Sequence, residues 1–439
     1  MDIDGIKRGF GPAGQGQPEE KGLLLKSQSA ATDRLRVCVV SINYPPEQTA
    51  IAPYSGTLAA ALAMSGHDVT ALVAHPHYPE WEIWPGYGQW RSVDQLDGVR
   101  VDRRLHYVPQ PPRGLRRLLS EISFGVRLFF ARMGSPDVVL AVSPALFSTA
   151  LVALRLKLTP RRPRLIVWVQ DIYSLGLAET GEGGGIAQTV TRWVEGLTLR
   201  AADRVVVLHQ RFADFVTNEL GVDPSRVVVH RNWTHLPPMD PVDPAQAKAA
   251  LGWPTDKTLA VHTGNMGSKQ GLENVVDAAR LADMRGEAIQ FVLVGDGGER
   301  RSLEEYGRGV TRLSFVDPLD EEKYHLALNA ADILVVNEKP GVSAMSMPCK
   351  LTSYFDAGKP VVAATDPNGI TASEISTANA GIVVPAGDAE ALLAAIEQIR
   401  NHPNEARAYG NNGRQHRENV LDEGLAIDNW MRLIATVVG

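Results

Sequence analysis

Cysteine is scarce. Cys38 and Cys349 are the only two among 439 residues. They show no metal-ligand spacing, and one opens an early strand while the other opens a late helix, so no disulfide is expected and a reducing cytoplasm suits the chain. An apolar run able to span a bilayer is lacking too. The longest, Val138 to Leu156, is divided by Pro144 and holds Ser143, Ser148 and Thr149, so it reads as strand, turn and buried helix. No signal peptide is expected, because Leu23-Leu24-Leu25 is too short for an h-region between its Gly, Gln and Pro neighbours. Residues 1–33 read as a disordered tail. The chain also lacks a positive excess: its net charge is -6, which argues against nucleic acid as a partner. That charge is uneven. Residues 1–236 carry 26 Lys and Arg against 22 Asp and Glu, and the remainder 18 against 28, so the first half is the one suited to an anionic surface.

What is present is an ordinary globular composition, 44% hydrophobic and 21% charged, arranged as two runs of alternating strand and helix. Leu35–Ser41, a helix from about Pro53 and Asp68–Ala74 form a βαβ opening, which calls for a parallel, right-handed unit. Val138–Val142, Leu165–Val169, Arg204–Leu208 and Val227–His230 continue the first run. The Pro- and Asp-rich stretch His235–Pro244 marks the boundary. A second run follows with strands at Leu259–Thr263, Gln290–Val294, Arg312–Phe315, Ile333–Val336, Val361–Ala364 and Gly381–Val384. The expected fold is α/β, two doubly wound Rossmann-like domains facing across a cleft, with ligands at the carboxyl ends of the strands. The expected division is a tail (1–33), a first domain (34–236), a second domain (237–410) and a C-terminal helical segment (411–439).

Candidate chemistry sits at strand ends. After Leu259–Thr263 comes Gly264-Asn265-Met266-Gly267-Ser268-Lys269-Gln270-Gly271, a turn whose glycines let a ligand approach the backbone and whose Lys269 can reach a phosphate. Gly295-Asp296-Gly297-Gly298 has a similar place, but Arg300 stands where a dinucleotide fingerprint needs glycine. The stretch Gly341–Ala364 reads as a small-residue loop, a helix opening at Pro348 and stopped at Gly358, and a buried strand. Its helix start is suited to a diphosphate, with Lys350 adding a point charge. Glu338 and Glu374 are candidates for ribose hydroxyls. Asp171 ends the strand Leu165–Val169, where it either orients and deprotonates an acceptor hydroxyl or caps a helix. Over Arg113–Met133, the residues Leu115, Leu118, Leu119, Ile122, Val126, Phe129, Phe130 and Met133 follow helical spacing, with Arg116, Arg117, Ser120, Arg127 and Arg132 mainly away from them. That pattern serves an anionic membrane surface or a core-facing helix equally.

Taken together, NYPPEQTAIAPYSG, SGHDV with HPHYPEW, WVQD, AADRVVVLHQ, HRNW, HTGNMGSKQGLENVVDAA, FVLVGDGGER, AADILVV and SMPCKLTSYFDAGKPVVA resemble the family 4 glycosyltransferases of the GT-B fold, in the exopolysaccharide and O-antigen (colanic-acid-type) branch. The resemblance covers nearly everything after residue 34. It implies a hexosyltransferase that moves sugar from a nucleoside-diphosphate sugar to a lipid-linked or oligosaccharide acceptor, with retention and without a metal. The second domain holds the donor, the first takes the acceptor, and the last helix crosses back to the first. Gly264, Asn265, Gly267, Lys269, Gln270 and Gly295 then belong to the donor side, Gln270 standing where many relatives carry a phosphate-binding lysine. Tyr44, Glu47, Tyr54 and Gly56 approach the phosphates from the first domain, and Asp171 and Lys350 are the catalytic candidates. The chain departs from the family at Met345 and Ser353, where two glutamates are common, leaving Ser353 and Tyr354 on the donor helix. Ala50 and Ala52 replace frequent glycines and Cys349 a frequent serine. The missing glutamates leave two other readings: a sugar-nucleotide epimerase, or a non-catalytic nucleotide-binding partner of a polysaccharide assembly complex.

Overall fold

The computed structural model describes residues 34–48, 51–112, 114–143, 145–180, 185–234, 242–341 and 350–439. The readings made for the tail 1–33, Ala50, Arg113, Pro144, Gly183-Gly184, most of the linker (235–241) and the loop holding Ser346, Met345, Pro348 and Cys349 lie outside the described residues.

The first lobe runs β1 (Arg36–Ser41), α1 (Ala52–Met64), β2 (Asp68–Ala74), β3 (Arg91–Leu96), β4 (Val99–Arg104), α2 (Gly114–Phe129), β5 (Val138–Ser143), α3 (Leu146–Lys157), β6 (Arg164–Val169), α4 (Tyr173–Thr180), α5 (Ile186–Arg200), β7 (Arg204–Val207), α6 (Gln210–Asn218) and β8 (Val227–Val229). The second runs α7 (Pro244–Leu251), β9 (Thr258–Thr263), α8 (Glu273–Arg285), β10 (Ile289–Val294), α9 (Arg300–Tyr306), β11 (Leu313–Val316), α10 (Glu321–Ala330), β12 (Ile333–Asn337), α11 (Lys350–Asp356), β13 (Val361–Thr365), α12 (Ile370–Ala378), β14 (Gly381–Pro385) and α13 (Ala389–Asn401). The chain closes with α14 (Pro403–Val420) and α15 (Glu423–Val438).

The first sheet has the order β3-β4-β2-β1-β5-β6-β7-β8 and the second β11-β10-β9-β12-β13-β14. All pairs are parallel except β3 with β4. Parallel strands covered on both faces must be apolar throughout, and β5, β6, β10, β12 and β13 are buried almost end to end. The order reverses between β1 and β5 and between β9 and β12, which puts a crevice at the carboxyl edge of each sheet. Both alternations read from the sequence are present. The antiparallel hairpin β3–β4 was not among them, because β3 is a polar edge strand without an apolar run. Its turn is Asp97-Gly98, both with positive φ, and that dipeptide between extended segments is its one local signal.

Phe124, Leu128, Val152, Leu156 and Leu199 pack helices α2, α3 and α5 against one face of the first sheet. The other face is covered by α1 and, from the far end of the chain, by α15. Trp430 of α15 is fully buried among Tyr54, Trp168 and Trp233, its ring 4.7 Å from that of Trp168. Cys38 lies in the core of β1, where burial pushes its thiol up to about 12.

Candidate active site

Three loops meet at the carboxyl edge of the second sheet. The turn after β9 is pinned on one side by the loop after β10: Met266 N–H donates to the Asp296 carbonyl (2.8 Å) and Glu299 N–H to that of Met266 (2.9 Å). Gly295 has φ +134, and a Cβ there would lie 2.0 Å from the Gly264 carbonyl oxygen, so this contact accepts only glycine. On the other side Asn337, at the end of β12, donates to the carbonyls of Gln270 (2.7 Å) and Gly271 (2.8 Å) and accepts from Asn274 (2.8 Å). Within the turn, Gly267 N–H donates to the Gln270 side-chain oxygen (3.1 Å). Gln270 therefore shapes the turn from inside rather than reaching out of it.

Lys350, in the first described turn of α11, points at this turn. A Cβ on Gly264 would stand 3.8 Å from Lys350 Nζ. Behind it is His262, fully buried on β9. His262 Nδ1 is 3.1 Å from the Val335 carbonyl and Nε2 is 3.4 Å from Lys350 Nζ. A carbonyl can only accept, so Nδ1 carries the proton and Nε2 offers a lone pair to the ammonium. Burial, reinforced by the Lys350 charge, holds this imidazole neutral, with its pKa well below the ordinary value. His262 was missed in the sequence, where it is one residue of an apolar strand with no local mark.

The other donor-side candidates divide. Glu338 stands half-buried at the end of β12 and accepts hydrogen bonds from Thr365 and from Thr371 (2.6 Å), so it lies at the cleft edge. Ser353 and Tyr354 are buried on α11. The Tyr354 hydroxyl accepts from Thr263 N–H (2.9 Å), which ties α11 to the strand feeding the Gly264 turn and corrects its place in the donor set: it positions the turn and meets no solvent. Glu374 also departs from its expected ribose role. Its side chain is 0% exposed, and its carboxylate is engaged by Arg231 at 2.7 and 3.1 Å and flanked by His209 (3.5 Å) and His416 (3.6 Å). A buried carboxylate that needs partners has found them across the two lobes, so it presents no oxygen to the cleft. Burial alone would raise its pKa; His416, Arg231 and His209 outweigh that and hold it below the ordinary value.

In the first lobe, Asp171 follows β6. The N–H groups of Tyr173 and Ser174 that open α4 donate to Glu195 (2.7 and 3.1 Å), so Asp171 is not the cap. Among the described residues nothing donates a hydrogen bond to its half-buried carboxylate. Burial pushes it up to about 6 against the pull of Lys269, from the second lobe, and Arg117. The two lobes thus place a carboxylate and an ammonium within each other's field. Arg117 is exposed on α2, on the polar side where the sequence set it, and its guanidinium lies 3.9 Å from Glu121 and 5.7 Å from the Tyr173 ring centroid; it also acts on Tyr78. The spacing to Glu121, one helical turn on, was the available hint. Ser120, set on that side too, is instead buried against α3. Burial raises Glu121 to about 7, opposed by Arg117.

The first-loop candidates are held inside. Glu47 is buried and accepts from His77 N–H (2.7 Å), Tyr78 N–H (2.9 Å) and Asn43 (2.9 Å). Tyr44 and Tyr54 belong to the core, Tyr54 edge-on to Trp233. Gly56 admits Pro45, whose ring a Cβ would meet at 2.4 Å. These four are spent on packing and on holding backbone, with Glu47 fixing the loop after β2 at His77 and Tyr78. Among the described residues no group of three or more His, Cys, Asp or Glu is arranged to hold a metal.

Residues 49–233 match the family described as glycosyl transferase 4-like domain, and residues 244–416 match glycosyl transferases group 1. The chain is 32% identical over 406 residues to an Escherichia coli K12 protein described as a colanic acid biosynthesis glycosyl transferase, WcaI, covering 88% of this chain and 98% of that one. Among solved structures it is similar in fold to sucrose-phosphate synthase from Thermosynechococcus elongatus, with TM-score 0.71 and 21% identity, covering 92% of this chain and 99% of that one. It is also similar to Anabaena HepE in complex with UDP, with TM-score 0.65 and 14% identity, covering 92% and 100%.

Proposed function

Since this chain belongs to the GT-B glycosyltransferases, with a family 4-like first domain and a group 1 second domain, we propose that it moves a hexose from a nucleoside-diphosphate sugar to a lipid-linked glycan, with retention, in cell-surface polysaccharide synthesis. The observation that carries the reading is the convergence at the cleft: Lys350 aimed at the Gly264 turn from one side, Asp171 in the field of Lys269 on the other. The donor diphosphate lies against the Gly264–Gln270 turn. Lys350 stabilises negative charge on it as the bond from the anomeric carbon to the phosphate oxygen breaks. Asp171 orients the acceptor hydroxyl and takes its proton as the new glycosidic bond forms on the same face. Positive side chains supply the neutralising charge in this scheme, so it calls for no metal. Glu338, at the end of β12, is the carboxylate that substitutes for the missing glutamate pair in this scheme.

The acceptor's lipid bears on where the reaction happens. No helix among the described residues is long and apolar enough to cross a membrane. On α2, however, Leu115, Leu119 and Val126, with Phe130 just beyond, are exposed, while Ser120, Glu121, Phe124, Gly125 and Leu128 form its buried face. The stripe seen in the sequence is therefore not the core-facing one, and it supports a cytoplasmic enzyme that meets the inner face of the plasma membrane. The test is incubation with UDP- and GDP-sugars and a polyprenyl-diphosphate-linked acceptor, following diphosphate release and the anomer of the product. Absence of both release and nucleotide binding overturns the proposal; turnover of donor without acceptor points to an epimerase, and binding without any turnover to a non-catalytic partner.

A further inference from the structure

The loop between β2 and β3, from His75 to Trp90, holds three of the chain's eight tryptophans, and the proposed reaction makes no use of them. Topology sets its place. Strands β2, β1, β5 and β6 run parallel, so this loop and Asp171 leave the sheet by the same edge. Tyr78 is near enough to Asp171 and Arg117 to feel both charges.

Within the loop Trp81 has φ +54. A left-handed backbone strains a bulky residue, whereas glycine holds it freely, so a tryptophan here needs a reason. The turn is fixed from several directions. The buried Glu47 accepts from the N–H groups of His77 (2.7 Å) and Tyr78 (2.9 Å). Gln110 donates to the Trp81 carbonyl (3.1 Å), and Glu82 N–H donates to that of His77 (3.1 Å). The indole meets the rings of His77 and Tyr78 at 5.7 and 6.3 Å, inclined by 77° and 74°. Neither ring lies parallel on it, and Trp81 stays half-exposed. Packing alone would have buried this indole, as it buries Trp168, Trp233 and Trp430.

Polar atoms next to this ring are left over. His77 Nδ1 donates to the His75 carbonyl (2.9 Å), which leaves Nε2 as an acceptor. His106 is 7% exposed, with its ring 4.9 Å from that of His77. Neither of its nitrogens meets a hydrogen-bond partner among the described residues. Burial, reinforced by His77 and His75, holds it neutral, so it keeps one donor and one acceptor. Such an unmet pair costs stability and marks a place where a hydroxyl, or a water bound to one, completes the bonding.

We propose that Trp81 is the platform on which a neutral sugar ring of the acceptor stacks, in a subsite beside Asp171 where His77 and His106 meet its hydroxyls. The flat apolar face of an indole suits the C–H face of a pyranose, and the hydroxyls at the ring's rim need polar partners. Glu80 and Glu82 flank Trp81 in sequence and are exposed, which sets like charge against a uronic acid. That the sugar belongs to an acceptor rests on the glycosyltransferase reading. Binding of a free sugar is measured without donor or turnover, so the two can fail separately.

The test is saturation-transfer NMR on the full chain with the methyl glycosides of glucose, galactose, N-acetylglucosamine and glucuronic acid at millimolar concentration. Transfer to the ring protons of at least one neutral glycoside is expected, with less to the glucuronide. Trp81→Gly is the matched variant, because glycine accepts the left-handed backbone and removes the ring without breaking the turn. It should melt no lower than the parent and weaken sugar binding about tenfold, while Trp81→Phe keeps most of it. In turnover with UDP- and GDP-sugars and a polyprenyl-diphosphate-linked acceptor, Trp81→Gly should raise KM for the acceptor and leave KM for the donor unchanged. Transfer to none of the glycosides overturns the proposal, and so does transfer undiminished in Trp81→Gly. An equal rise in both KM values overturns it too, since that assigns Trp81 a structural role.

Discussion

The ammonium of Lys350 stands 3.4 Å from Nε2 of His262, and the same ring gives its Nδ1 proton to the Val335 carbonyl. A buried, neutral acceptor behind a lysine fixes where the charge points without cancelling it, which is what binding a diphosphate in front of it requires. Lys350→Ala should weaken binding of a nucleoside diphosphate by about 10- to 100-fold, the scale of one charge-assisted hydrogen bond. His262→Leu should give a smaller loss, with the fold intact by circular dichroism. Titration calorimetry with UDP and GDP in parallel checks both. Undiminished affinity in Lys350→Ala would remove Lys350 from the donor site.

Asp171 should set the acid limb of the pH profile. As a base it must be ionised, and burial places its titration at about 6, so kcat/KM should fall as pH drops below that value and level off above it. Asp171→Asn should cost about 10²- to 10⁴-fold in rate and abolish the limb. The sign for stability is the reverse. A folded-state pKa above the ordinary 3.8 means the ionised carboxylate is disfavoured by the fold, a penalty that is full above about 6 and gone at low pH. At pH 8 the asparagine variant should therefore melt about 1–3 °C higher. A lower melting point would show a structural role instead.

Glu374 joins the lobes, so its loss should be felt in stability more than in nucleotide affinity. Glu374→Gln leaves Arg231 facing a neutral group and should cost about 2–3 kcal/mol, at the low end for a buried pair because Arg231 is 28% exposed. The pH dependence follows from two depressed values. His209, lowered mainly by burial, favours the fold above its ordinary 6.5, and Glu374 does so above its ordinary 4.5. Stability should decline as pH falls below about 6.5 and again below about 4.5. Urea melts at stepped pH, with the variant lacking the lower step, are the check.

Trp430→Ala should destabilise the first lobe, although it lies near the end of the chain. The ring is 0% exposed and packs on Trp168, so truncation should cost about 3–5 kcal/mol. Hydrogen exchange should quicken in β1 and β6 before β9 and β12. Quickening confined to the second lobe would contradict the packing of α15.

Much of the scaffold was legible because buried parallel strands are apolar along their whole length and helices repeat every turn. Thus β5, β6, β10 and β13 stand out as runs. The β3–β4 hairpin did not, since an edge strand needs no apolar face and only Asp97-Gly98 marks it. At the site, the turn Gly264–Gly271 was readable because glycine at a strand end has few other uses, and Asp171 because it closes an apolar strand.

The partners of these residues were not readable. His262 and Lys350 are 88 residues apart, Arg231 and Glu374 143, and Asn337 holds a turn from a neighbouring strand. No local pattern distinguishes a carboxylate such as Glu374, claimed by the opposite lobe, from one such as Glu338 that stays at the cleft edge. The helical stripe over Arg113–Met133 allowed either a core or an outer face, and only the packing of α2 against α3 turned Phe124 and Leu128 inward and left Leu115, Leu119 and Phe130 outside. By itself, then, the sequence determined which segments become buried sheet and which strand-end turns demand glycine, because burial and glycine geometry are local demands. Which charges are spent on holding the lobes together and which stay available at the cleft was decided by tertiary structure alone, because desolvation and pairing depend on neighbours that the chain brings together only when folded.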